Sequence, residues 1–391
     1  MDFSLTREQQ ETVGRARRVA LECLEPRAAG YDESASHPWE SWNGLWQSGF
    51  LAVGVPTEYG GTWVDMPTYV MVIETLAQGC TSSAMTLHMH SVVQMYVDAL
   101  ANENQKRRYY AEVVEGGKLF GSWGSEPDSR GGSGIPRGTS IAPADGGYVI
   151  DGQKHFCTMA GAAHRYMVHC TMQGYDGLAG YQLALVPSDA EGIQISGEWD
   201  TLGMRATVSP SVSFEECLVD GDCLLGEPGV ALETGVGFSF GLGYAAVYIG
   251  AAQRALDLTV EYCQTHRFAP DPKLLSHSLV VQRAVAEMTT ALQGARLVLY
   301  ESAGRWHDAD AARRMVLTSC AKYLATQAAL MVTSRCLQTA GGRSAHKSMP
   351  LERLFRDVRT ATLMPPNADR ALEVVGRAEL GVSDEPSQPG R

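Results

Sequence analysis

The sequence predicts a mainly α protein with a β domain set in its middle. Three observations carry that expectation. Apolar residues recur every three to four positions over most of residues 1–117. From Lys118 they give way to short apolar runs of period two, separated by turn residues. Long helical periodicity returns after Gly229 and continues to residue 382. The expected organisation is an N-terminal helical domain (1–117), a middle antiparallel β-barrel or sheet domain (118–228) and a C-terminal four-helix bundle (229–382). Residues 383–391 are polar and Pro-rich, and read as a disordered tail.

Each element has its own signal. Thr6 followed by Gln9 is a capping-box pattern, and Val13, Ala16, Ala20 and Leu24 follow at helical spacing. A second amphipathic stretch runs from Trp39 to Gly49 after Pro38. The Pro56 to Gly61 segment reads as a loop. Helix is expected over Met66–Gln78, with Val70, Ile73 and Leu76 as its buried stripe, then over Thr81–Ala101 and Asn104–Glu115. Strands are expected at Tyr148–Ile150, Arg165–Cys170, Tyr181–Val186, Ile193–Ile195 and Val212–Phe214. The bundle helices are expected over Ala245–His266, Lys273–Trp306, Asp308–Ala340 and Ala368–Leu380.

Composition narrows the function. The 391 residues are 45% hydrophobic and 19% charged, with a net charge of -12. That charge argues against a general nucleic-acid binder. No apolar run was expected to reach bilayer length, and MDFSLTREQQ lacks the build of a signal peptide. The expected location is cytoplasmic. The nine cysteines are scattered, with no Cys-x-x-Cys pair, and read as reduced thiols. No metal-ligand spacing or Walker-type phosphate loop is present, so no metal is expected.

The stretch from Gly121 to Gly161 concentrates the chemistry. Its glycines allow close backbone approach to a ligand, and free N–H groups suit anionic or carbonyl-rich partners. Taken alone it is also a set of ordinary turns. Ser125-Glu126-Pro127 with the Gly/Ser run to Ser133 opens it. Gly152-Gln153-Lys154 and Phe156-Cys157-Thr158 follow. Leu202-Gly203-Met204-Arg205 comes later, then Gln338 with Gly341-Gly342, Pro350-Leu351-Glu352-Arg353 and Arg356-Asp357. In this order and spacing the chain resembles the acyl-CoA dehydrogenase superfamily of flavoproteins over nearly its full length.

That resemblance implies FAD between the β domain and the bundle. Thr158 would offer its hydroxyl to the flavin N5. Gly124 and Ser125 would bind the pyrimidine end, with Trp123, Ser133 and Cys157 in the same contact set and Phe156 packed on the ring face. The diphosphate would meet Arg267, Phe268, Gln338, Gly341 and Gly342, supplied by a neighbouring subunit. The resemblance therefore implies a homo-oligomer, a tetramer or dimer. It also implies an acyl substrate on CoA or a carrier protein, with a flavin reductase or electron-transfer protein as partner.

Two departures matter. The family's diphosphate arginine slot holds Thr265. The slot of its usual catalytic glutamate holds Pro365, which can neither take a proton nor donate a backbone hydrogen bond. The alternative glutamate slot falls near Phe240, and Glu233 and Asp369 are out of register. His88 and His90, within an apolar helix, are the candidate bases. The competing reading makes them satisfied core histidines, and His155 and His346 are weaker candidates. Three function classes stay open. One is an acyl oxidoreductase with a relocated base. Another is a flavin monooxygenase on the same scaffold, which needs no glutamate because its reduced flavin reacts with O2. The last is a non-catalytic flavin-binding homologue.

Overall fold

The computed structural model describes residues 5–127, 136–268 and 270–382. Ser133 and the expected tail 383–391 lie outside the described residues. The chain opens with α1 (Arg7–Val19), α2 (Glu25–Ser34), α3 (Trp39–Gln47), α4 (Met66–Gly79), α5 (Thr81–Leu100) and α6 (Glu103–Val114). The Thr6–Gln9 capping box is formed in both directions. A second box, Asn102 with Gln105, starts α6. Between α1 and α2, residues Ala20–Leu24 widen into a π-helical turn. α4 and α5 form where expected, and are buried nearly all round rather than on one stripe.

The middle of the chain forms β1 (Phe120–Trp123), β2 (Ser140–Ala144), β3 (Gly147–Lys154), β4 (Arg165–Met172), β5 (Tyr181–Pro187), β6 (Ile193–Ser196), β7 (Ser211–Val219) and β8 (Leu224–Leu225). They make one sheet in the order β6-β7-β3-β2-β4-β5-β8, with β1 added against β4. Most pairs are antiparallel, as expected, but β1–β4 and β2–β4 are parallel, so the sheet is mixed. β1 carries no alternation because all four of its residues are buried.

The C-terminal part holds the short α7 (Val230–Glu233), then α8 (Ser239–Thr265), α9 (Leu279–Gly304), α10 (Ala311–Ala340), α11 (Leu351–Ala361) and α12 (Ala368–Glu379). α10 packs on α8, α9, α11 and α12. Against the sequence expectation, the stretch containing α10 is long and apolar enough to cross a bilayer. More than half of its most apolar window is buried inside the protein, and a central bundle helix needs that composition.

The three parts meet at Leu202-Gly203-Met204. An added Cβ on Gly203 would lie 2.2 Å from the Arg356 carbonyl oxygen, so this backbone rests directly on α11. Arg356 ties the junction. It donates to Asp32 of α2 at 2.6 and 3.0 Å, to the Leu202 carbonyl at 2.9 Å and to Glu352 at 2.7 Å.

A contrast between two glycines tests this docking. Gly203→Ala pushes a methyl into fixed backbone and should destabilise by about 1–3 kcal/mol, the usual cost of overpacking. Gly294→Ala, on α9 with open space around it, should stabilise by up to about 1 kcal/mol through helix propensity. Urea denaturation of both variants checks the opposite signs.

Candidate functional site

β3 runs into the segment His155–Ala163, which carries the centre of the candidate site. His155 N–H donates to the Ser125 carbonyl at 2.9 Å and brings the Ser125 loop alongside. Cys157 N–H donates to Pro210 O, and Met159 N–H to Thr207 O, each at 3.1 Å. These bonds clamp the segment to the stretch that enters β7. Both partners are strained. Phe156, Met159, Met204 and Val208 have φ of 55°, 63°, 56° and 38°, a region that non-glycine residues rarely enter. Six such residues occur among the described ones, and four are here. Concentrated strain of this kind marks functional segments.

Thr158 is buried, with a sliver of its side chain exposed. Its carbonyl accepts from Trp123 Nε1 at 3.0 Å. Its hydroxyl oxygen accepts from Ser209 Oγ at 3.1 Å, leaving the Thr158 proton for an outside acceptor. Phe156 beside it is 66% exposed, large for an aromatic, and Gly124 and Ser125 are half-buried. A free hydroxyl donor, accessible loop backbone and an exposed ring around one face fit a flat ligand whose edge carries acceptors. The isoalloxazine of a flavin is such a ligand, so the residues present fit the group.

Two expected contacts need correction. Trp123 is fully buried, stacked at 3.8 Å on Tyr166, with its indole N–H committed to the Thr158 carbonyl. It supports Thr158 from behind and faces no ligand. Cys157 is also fully buried, and burial drives its thiol pKa far up. It contributes backbone alone. Glu126 of the Ser-Glu-Pro motif is structural. It pairs with the buried Lys154 at 2.6 Å and accepts N–H bonds from Gly138 and Thr139. Burial opposes its ionisation, but Lys154 and the two N–H donors prevail and hold it down at about 2.

The two candidate bases are also corrected. His90 Nδ1 accepts from Phe120 N–H at 2.9 Å, and its Nε2 lies 3.0 Å from the Leu51 carbonyl, which can only accept. His88 Nε2 lies 3.0 Å from the Phe240 carbonyl, while Nδ1 meets the Tyr69 hydroxyl at 2.8 Å. Each ring is therefore a neutral, protonated-Nε2 tautomer with both nitrogens occupied. Burial lowers both pKa values to about 4. Neither ring has a nitrogen free to take a substrate proton. Gly243 is what admits His88, since a Cβ there would sit 2.0 Å from the imidazole.

Pro365 lies in a loop whose carbonyls are held by a buried cation. Lys322 of α10 donates to the carbonyls of Met364 at 2.8 Å and Pro366 at 2.6 Å, on either side of Pro365. Burial lowers this amine to about 8. Among the expected diphosphate residues, Arg267, Phe268, Gln338 and Gly342 are exposed and Gly341 is half-buried. They sit at the C-terminal ends of α8 and α10, and no hydrogen bond joins them to the Thr158 segment among the described residues.

Two concavities lie elsewhere. One of about 370 Å³ runs between α8 and α9, and one of about 510 Å³ lies between the α5–α6 corner and the sheet. Neither is lined by Thr158 or Ser125. The chemistry identifies the Thr158 face in preference to these clefts, because donors and strain converge there.

Sequence reasoning missed Ser209, Thr207, Asp357 and Lys322 as parts of the site. Asp357 Oδ1 accepts from Met204 N–H at 2.6 Å. Burial pushes its carboxyl up to about 6, against the pull of that N–H and of Arg353. The signal was present in the two quoted motifs, Leu-Gly-Met-Arg and Arg-Asp, whose contact spans 153 residues.

Models of the acyl-CoA dehydrogenase N-terminal, middle and C-terminal domains match residues 6–117, 121–217 and 242–364. An acryloyl-CoA reductase (NADH) of Anaerotignum propionicum is 29% identical over 382 residues, covering 96% of this chain and 95% of that protein. A dibenzothiophene monooxygenase of Mycolicibacterium goodii is 30% identical over 366 residues, covering 88% of each. The crystal structure of FMN-bound TdsC from Paenibacillus sp. A11-2 superposes with a TM-score of 0.87 at 27% identity, covering 97% and 99% of the two chains.

The raised Asp357 carboxyl gives a pH prediction. A carboxyl near 6 in the folded state and near 3.8 in the unfolded state favours folding while protonated. Its contribution is full below about 3.8 and declines as pH rises through 6. The stability of the parent minus that of Asp357→Asn should therefore fall between pH 4 and 6.5 and then level off. Urea titrations of the pair across that range check it, and a difference that stays constant or rises contradicts the assignment.

Proposed function

We propose, for a chain that belongs to the acyl-CoA dehydrogenase superfamily of flavoproteins, an oxidoreductase that works without a general base at the substrate α-carbon. Oxygen insertion into an aromatic substrate is the reaction class that its geometry supports best. One observation carries this reading: each position that could supply the base is occupied by something that cannot act. Pro365 stands in one slot, and its neighbours' carbonyls are held by Lys322. Phe240 stands in the other, its carbonyl held by His88. His88 itself is neutral and saturated. Removing an α-proton from a thioester requires a positioned acceptor, whereas oxygen insertion does not.

Between α5 and α8 the side chains are aromatic. His88 meets Tyr244 edge-on at 5.3 Å and Phe240 at 6.1 Å, and Tyr244 stacks parallel to Tyr248 at 6.5 Å. Of these rings Phe240 is the half-buried one, backed by the buried His88 and Tyr244, and an aromatic there suits a planar substrate by edge and face contacts. The relative named for dibenzothiophene supports the same chemistry.

A bound reduced flavin would supply the two electrons that, with two protons, let one atom of O2 enter the substrate and the other leave as water. The chain's own work is to bind, orient and exclude. Thr158 donates its hydroxyl proton toward the ring edge, and Trp123 fixes its backbone. Gly124 and Ser125 present the loop, and the half-buried Phe240 orients the substrate. No hydrogen bond joins Arg267, Gln338, Gly341 or Gly342 to the Thr158 segment among the described residues, and the resemblance supplies such residues from a neighbouring subunit. A homo-oligomer is thus part of the proposal.

A second reading, oxidoreduction of a short acyl thioester, is favoured by the acryloyl-CoA reductase relative. In that case the electron partner would be a flavoprotein or nicotinamide donor. The flavin-loaded protein separates the two. Acyl-CoA thioesters should neither bleach the oxidised flavin anaerobically nor exchange α-protons in D2O, and Pro365→Glu should not create exchange. With NADH, a flavin reductase and O2, an aromatic heterocycle should gain one oxygen. Bleaching by a thioester would overturn the oxygenase reading and establish the second.

The histidines supply a further expectation. Because His88 and His90 titrate near 4, neither should contribute an inflection between pH 5 and 8. A turnover-versus-pH profile with an imidazole-like step that vanishes in His88→Gln would refute the saturated geometry described above.

A further inference from the structure

Behind Thr158 the structure places a chain of polar groups that no motif announced. It starts at the Asp357 carboxylate on α11. Met204 N–H donates to Asp357 Oδ1 at 2.6 Å. The Met204 carbonyl accepts the Thr207 N–H at 3.1 Å and lies 2.8 Å from the Thr207 hydroxyl oxygen. Thr207 Oγ1 lies 3.0 Å from Ser209 Oγ, and Ser209 Oγ donates to Thr158 Oγ1 at 3.1 Å. Thr207, Ser209, Thr158 and Asp357 are all buried, at 2%, 4%, 6% and 3% exposure.

Buried hydroxyls must be satisfied, and a threonine hydroxyl rotates to suit its partners. A donor acting on the Thr158 oxygen occupies one lone pair and removes the inward direction for the Thr158 proton. The single Thr207 hydroxyl proton, turned to Ser209, leaves the Ser209 proton for Thr158, while the Thr207 N–H keeps the link to the Met204 carbonyl. Met204 in turn is held in the left-handed region, with φ of 56°, by its N–H bond to Asp357. Val208, between the two hydroxyl residues, has φ of 38°. A β-branched residue is costly there, and that local geometry accompanies the placing of Thr207 and Ser209 in the chain.

We propose that Ser209 is a positioning residue for the flavin. It aims the Thr158 hydroxyl proton outward, and the Thr207–Met204–Asp357 chain anchors it to the C-terminal bundle. This rests on the reading that Thr158 faces the flavin. The consequence concerns the reduced flavin above all, because negative charge builds on the ring when it is reduced and a pre-aimed donor stabilises that charge. Hydrogen bonds that polarise one another in series strengthen the last donor.

The test is a double-mutant cycle on flavin affinity, measured by titrating apoprotein with FAD, once oxidised and once reduced under anaerobic conditions. Thr158→Val should lower the ratio of reduced to oxidised affinity by roughly fivefold, the worth of one neutral hydrogen bond. Ser209→Ala should lower it in the same direction, by an equal or smaller factor. The double variant should match Thr158→Val alone, because Ser209 acts through Thr158. Ser209→Thr should restore the parent ratio. If Ser209→Ala fails to fold, Ser209→Cys keeps the shape with a weak donor and should show an intermediate ratio. An unchanged ratio in the Ser209 variants while Thr158→Val lowers it, or additive effects in the double variant, overturns the role of Ser209. An unchanged ratio in Thr158→Val overturns the flavin-facing reading itself, and the proposal falls with it.

Discussion

The site depends on one contact, the seating of Gly203-Met204 on the Arg356-Asp357 turn of α11. It joins segments far apart in the chain and uses both side chains of a two-residue motif. Arg356 reaches outward to Asp32 and Leu202, while Asp357 reaches inward to the Met204 N–H. Arg356 and Asp32 are both mostly buried. A buried ion pair is weak grounds for net stability, since desolvation offsets most of the attraction. Its contribution here is geometric. The guanidinium is a planar fork with fixed donor directions. It sets where α2 and the 202 loop sit against the bundle, and the absent side chain of Gly203 lets the backbones touch.

From that contact the geometry of Thr158 follows in steps. Met204 is forced into a left-handed turn, and Thr207 and Ser209 follow it. The backbone of Thr207 then receives the Met159 N–H, and that of Pro210 receives the Cys157 N–H. Two irregular segments are thereby bonded to each other on both sides of Thr158. Each left-handed non-glycine residue costs on the order of 1–3 kcal/mol, so neither segment would hold its shape alone. Trp123, stacked on Tyr166, closes the arrangement from beneath. The result is a hydroxyl whose carbonyl, oxygen lone pair and flanking backbone are all restrained, with only its proton left uncommitted.

How much of this was legible depends on whether a signal was local. The helices were legible because caps and periodicity act within a turn or two, as Thr6–Gln9 shows. Five strands were legible as apolar runs, β4 and β5 among them although almost wholly buried. β1, β2 and β8 were not, and the four-residue β1, Phe-Gly-Ser-Trp, pairs in parallel with a partner some 45 residues on. α11 was noted for its charged motif and not as a helix. Trp123 and Cys157 were placed at the ligand because they adjoin Gly124 and Thr158, yet backbone direction turns them inward. His88 and His90 looked reactive because they are two imidazoles in an apolar helix, although Gln94 lies against His90 one turn on. Their partners, the carbonyls of Phe240 and Leu51, lie 152 and 39 residues away. Ser209 acts on Thr158 across 51 residues, a distance at which spacing carries no information.

The loop at Pro365-Pro366 is held by a single buried cation. Lys322 directs a nearly fully buried ammonium at the carbonyls on both sides of Pro365, with the face of Tyr248 at 5.6 Å. Burial lowers its pKa only to about 8, so the group remains largely charged at neutral pH. Charge-assisted bonds are stronger than neutral ones, and two of them fix a segment whose two prolines have no N–H to contribute. Tyr248 adds a bond to the Ala361 carbonyl at the end of α11. A buried cation is expensive to maintain, and here it holds a loop with no acid or base at its centre. Rigidity without proton chemistry makes that loop a wall. With the ring of Tyr248 beside it, the loop is held by charge-assisted bonds and ring contacts.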